Sequence, residues 1–90
     1  MLLSKVRIIG HSMEPALKDD QIVIVSSIPY FFKKPRVGDI VILRHERHII
    51  KRIEKIKDDK FFVVGDNKKE STDSRKFGWI LKKTILGKVI

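Results

Sequence analysis

No segment of this 90-residue chain sustains an apolar period of 3.6 residues, and nothing else in it constrains the fold as strongly. The apolar residues sit in short runs instead. In "SKVRII" Val6 and Ile8 alternate with Lys5 and Arg7, a period of two. "QIVIV" (21–25) is a β-branched run bounded by Asp19-Asp20 and Ser26-Ser27, and "DIVILR" (39–44) follows Gly38. "HIIKRIEKI" (48–56) alternates again, and Asp58-Asp59 offers a turn before "KFFVV" (60–64), the pattern of a β-hairpin. After a polar loop, residues 65–76, come "FGWI" and the strand "TILGKVI". These runs predict an all-β fold, a small, partly open barrel of short antiparallel strands. Residues 1–90 make one domain, with a thin core, since so short a chain buries only about 60–70% of its unfolded surface.

Cysteine is absent, which excludes disulfides, a thiol nucleophile and a Cys-ligated metal. The net charge of +9 favours anionic partners. Yet the lysines and arginines are spread along the chain, with no Arg-rich tract or basic helix stripe. No nucleic-acid partner is expected; loose peripheral contact with an anionic membrane fits the charge. The longest apolar runs are four residues, against about 20 for a bilayer span. The N-terminus lacks the apolar stretch of a signal peptide, so the expectation is a soluble, cytoplasmic chain. "IPYFFKKP" (28–35) sets three aromatics beside two lysines. Such a cluster ordinarily covers one end of a small core; a cleft lining or an approach to a membrane surface fits it as well.

Three stretches carry chemistry. In "IIGHSMEP" (8–15), Gly10 allows a sharp bend just before Ser12 and Pro15 stiffens the exit. Serine is a weak nucleophile until a base takes its proton, and that base can be histidine or a neutral lysine. In such a turn the amide of Ser12 can itself face a substrate carbonyl. A serine in a glycine-containing turn is more often structural. The second stretch is "HIIKRI", where Lys51 shares a strand face with Ile49 and Ile53. Burial there lowers a lysine pKa, as a base near neutral pH requires. A lysine whose stem covers apolar surface while its head reaches water fits the same pattern. The third is "GDNKKESTDSRKFG" (65–78), dense in hydrogen-bonding side chains. Asp73 and Arg75 can pair there, and Ser71 can reach the lysine. An ordinary solvated loop has much the same composition.

Together the three stretches resemble the type I signal peptidases, serine proteases that use a Ser-Lys dyad. "GHSMEP" resembles the nucleophile box of that family, "GDIVILR" one of its strands, and "IKRI" its lysine box. The loop matches the pattern Gly-Asp-Asn, three residues, Ser-x-Asp-Ser-Arg, two residues, Gly, at every fixed position. The resemblance implies a minimal signal-peptidase or LexA-like core and an endopeptidase that removes a leader from a precursor, cutting after small residues. It implies that Ser12 attacks, that Lys51 is the base, and that Ser71 orients the lysine amine. Asp73 and Arg75 would then brace the site. It implies no cofactor and no metal.

The chain departs from that family in three ways. No transmembrane segment precedes Ser12, a large second β-region is missing between Lys51 and Gly65, and Gly10 stands where some members carry a second oxyanion-donating hydroxyl. "STDSRKFG" is similar to short soluble proteases thought to trim the leader of nickel-type superoxide dismutase. Self-cleaving repressor-type domains also use Ser-Lys chemistry, but they lack the Gly-Asp-Asn loop. A non-enzymatic basic nucleic-acid-binding barrel is a further alternative. His48 lies near Lys51 in sequence but faces the other side of a strand, and a His45/His48 metal pair has no third ligand.

Overall fold

The computed structural model describes residues 2–90, and among them seven antiparallel strands form a single curled half-barrel. The strands are β1 (Ser4–Arg7), β2 (Ile22–Ser26), β3 (Ile40–His45), β4 (Arg47–Lys57), β5 (Lys60–Val64), β6 (Ile80–Leu81) and β7 (Ile85–Val89). Their order across the sheet is β1-β2-β7-β3-β4-β5-β6. The expected all-β open barrel is what forms.

The hairpin expected at Asp58-Asp59 is present. Lys57 pairs with Lys60, leaving those two aspartates as a two-residue loop, both at positive φ (49° and 62°). Positive φ at both positions matches the twist of the flanking strands. The alternation in β3 sends Ile42 into one apolar cluster with Ile8, Met13, Leu17, Val23 and Val25. Val41 and Leu43 enter a second cluster, with Ile53, Phe61, Val63 and Ile80. The sheet therefore buries side chains on both faces, which a curled sheet permits and a flat one in so small a chain does not.

The aromatic cluster divides. Pro29–Phe32 forms one helical turn, α1. Tyr30 packs against the second cluster and its hydroxyl donates to Asp39 at 2.7 Å. Phe31 and Phe32 point outward, 65% and 83% exposed. Covering a core end therefore describes only one of the three rings. Within the polar loop, Ser74–Phe77 makes a second turn, α2, begun by the Asp73 side chain accepting from the Arg75 amide. No helix among the described residues is long and apolar enough to cross a membrane.

Candidate active site

The serine turn is held from both ends. Gly10 sits at φ 91°, a region that disfavours side-chain-bearing residues, and its amide donates to Asp19 Oδ1 at 2.7 Å. Met13, immediately after Ser12, is 1% exposed and lies in the first apolar cluster. Burying such a side chain contributes about 1.5–3 kcal/mol, which pins the turn to the core. Ser12 is left half-buried, with neither its N–H nor its Oγ in a hydrogen bond among the described residues. His11 pairs with Glu14 at 2.7 Å; that hydrogen bond raises the histidine pKa and lowers the glutamate's.

Lys51 comes from the middle of β4, opposite Val41 of β3. It is 4% exposed, with Ile49 and Ile53 of its own face both packed in the second cluster. Burial lowers its pKa; Asp73 opposes the shift, while Arg75 and Arg47 add to it. The lysine whose head reaches open water is thereby excluded.

The Lys51 ammonium nitrogen donates to Ser71 Oγ at 3.0 Å, and Ser71 Oγ donates to Asp73 Oδ2 at 2.7 Å. Because Asp73 takes the hydroxyl proton, Ser71 presents only lone pairs to the lysine. Asp73 is 0% exposed and also accepts from the Gly65 amide at 2.8 Å. Arg75 donates to it through Nε at 2.9 Å and Nη2 at 2.6 Å. Burial alone would raise the Asp73 pKa, but these donors hold it well below the usual carboxylate range. The chain Lys51–Ser71–Asp73–Arg75 is thus a continuous, directed network ending on a fixed anion.

Ser12 and Lys51 line one cleft of about 370 Å³, together with residues that precede each of them, Ile8 to His11 and Arg47 to Ile50. No hydrogen bond joins Ser12 Oγ to the lysine; its nitrogen is directed to Ser71.

Three residues at the start of the loop were not singled out by sequence reasoning, and two of them, Gly65 and Asn67, tie the loop to the serine turn. A Cβ on Gly65 would lie 2.6 Å from the Ser12 carbonyl oxygen and collide with Ser71 Oγ, so only glycine lets the loop close against the serine turn. Asp66 forms a two-point ion pair with Arg52, both distances 2.8 Å. Asn67 donates its amide N–H to the Ser12 carbonyl at 2.9 Å and its side chain to the His11 carbonyl at 3.1 Å. The available signal was the intact Gly-Asp-Asn triplet at the start of the loop.

Comparison with curated proteins finds no match. The sequence matches the family described as Peptidase S24-like over residues 4–90, nearly the whole chain. That match supports a serine peptidase of the Ser-Lys kind, or a self-cleaving domain of that kind. On this match, and with this fold beneath it, the chain belongs to the Peptidase S24-like family.

Proposed function

We propose that this protein is a Ser-Lys endopeptidase that removes a leader peptide from a separate precursor. The observation that carries the reading is the buried Lys51, directed by Ser71 and depressed in pKa, lining one cleft with an unengaged Ser12. A neutral lysine amine has two hydrogens and one lone pair. Donating one hydrogen to Ser71 leaves that lone pair free to turn toward the serine hydroxyl. Lys51 takes the Ser12 proton as Oγ attacks the scissile carbonyl carbon. The unengaged Ser12 N–H stabilises the resulting oxyanion. The lysine proton then passes to the leaving amine, giving an acyl-enzyme and a free new N-terminus. Water, deprotonated by Lys51, hydrolyses the ester and regenerates the serine.

The cleft is flanked by Ile8, Ile49 and Ile50, an apolar lining that suits small apolar side chains next to the scissile bond. Leader removal, as in type I signal peptidases and the nickel-type superoxide dismutase proteases, is favoured over self-cleavage by the Gly-Asp-Asn loop, which repressor-type domains lack.

The test is mass spectrometry of candidate precursor peptides, each carrying a small residue before the scissile bond. Wild-type protein is expected to cut at one site and a folded S12A variant at none. Retention of most cleavage by folded S12A would overturn the assignment. Cleavage confined to the protein's own chain would favour the repressor-type alternative.

A further inference from the structure

One surface lies outside everything the peptidase reading uses. At the start of β1, Leu2 and Leu3 are 62% and 63% exposed, and Ile28, leading into α1, is 44% exposed. These two places are neighbours: Ser26 Oγ donates to the Leu2 carbonyl and accepts from the Ile28 amide at 3.1 Å. With Tyr30 fixed inward on Asp39, Phe31 and Phe32 have only solvent to face. Large apolar side chains this exposed and this close together mark an interaction site rather than ordinary surface.

The charges around them say what kind. Lys33, Lys34 and Arg36 follow directly, all exposed, and none has an ion-pair partner among the described residues. From Gln21 to Gly38 the sequence contains no aspartate or glutamate. A second copy of this chain would bring two such cationic rims together, at a repulsive cost. An anionic bilayer offers apolar chains to the rings and phosphates to the cations, with the long basic side chains reaching up to the headgroups.

We propose that Leu2, Leu3, Ile28, Phe31 and Phe32, rimmed by Lys33, Lys34 and Arg36, dock the protein reversibly on an anionic lipid surface. The patch lies where the chain enters β1, and Ser12 follows the far end of the same strand. A docked molecule therefore holds its cleft off the bilayer, open to a precursor. This docking does not depend on the peptidase assignment.

The experiment is co-sedimentation of the full chain with phosphatidylcholine vesicles, with and without phosphatidylglycerol. Binding is expected only where phosphatidylglycerol is present. F31S/F32S should weaken the partition by about tenfold or more through lost apolar burial. K33Q/K34Q should weaken it on the order of tenfold, in anionic vesicles only. Insertion is read separately from F32W in a W79F background, whose emission should shift blue with anionic vesicles alone. The proposal fails if the wild type stays in the supernatant. It fails equally if F31S/F32S binds as the wild type does, which would mean adsorption by charge. A concentration-dependent dimer abolished by F31S/F32S would also overturn it, making a second copy the occupant.

Discussion

Replacing Asp73 with alanine removes the anion on which the lysine network ends. Five donors lose their acceptor: the Gly65 and Arg75 amides, the Ser71 hydroxyl, and Nε and Nη2 of Arg75. Their fates differ. The Arg75 side chain is 35% exposed and can turn to water. The Gly65 N–H is buried and has no other partner among the described residues, and leaving such a donor unsatisfied costs about 1–3 kcal/mol. Adding the charge-assisted bonds lost by Ser71 and Arg75, the total is about 3 kcal/mol at neutral pH. A 90-residue domain has a total stability of roughly 5–13 kcal/mol, so this is a large share of it. In a thermal melt it corresponds to a fall of about 12–24 °C. The sign with pH follows from the depressed carboxyl. Its contribution is fully present above the ordinary value of 3.8 and is lost as pH falls below that toward the folded-state pKa. The gap between wild type and D73A should therefore hold steady near neutral pH and shrink in acid. A D73A melt within about 4 °C of wild type at pH 7, equivalent to no more than ~1 kcal/mol, would refute the reasoning.

Other outcomes follow from the same geometry. Peptide cleavage should rise with pH as Lys51 loses its proton, with the rise centred below the ordinary lysine value of 10.5; a rate flat from acid to alkaline pH would contradict the lysine as base. K51R should lose at least about 10³-fold in kcat while remaining folded, because a guanidinium stays protonated; the readout is cleavage beside a circular-dichroism melt. R47A removes a cation that lowers the Lys51 pKa, so its pH–rate profile should move to higher pH, by a small amount because Arg47 is exposed. G65A should destabilise by about 1–3 kcal/mol in urea and lower cleavage as well, since the new methyl pushes on both Ser71 and the Ser12 carbonyl.

What was legible in the sequence was what depends on near neighbours. The alternation around Lys51 places it on one face with Ile49 and Ile53, but whether its amine is buried or reaches water was decided only by the folded structure. The two aspartates at 58 and 59 announce their turn because two adjacent positive φ values demand particular residues. Asn67 was visible only as part of the Gly-Asp-Asn match; its contacts with His11 and Ser12, far away in the chain, are encoded by no local pattern. Gly65 was opaque for a related reason, its value lying in the atoms that come close from elsewhere. The turn at Ser74–Phe77 is too short to show a period and rests on one capping carboxylate. Tyr30, Phe31 and Phe32 are adjacent aromatics; a single helical turn separates the ring that packs inward from the two that do not.

The position of β7 has a consequence for when this site comes into being. Residues 4–26 supply the wall with Ser12 and residues 40–81 supply the wall with Lys51, Ser71 and Asp73, and no strand of one pairs with a strand of the other. Among the described residues only β7 pairs with strands of both, Val25 with Val89 on one side and Ile42 with Gly87 on the other. A chain still emerging from the ribosome thus holds every reactive group before it holds the strand that aligns them. Pairings so distant in sequence also form late and slowly. The topology therefore defers the alignment of Ser12 with Lys51 until β7 is in place.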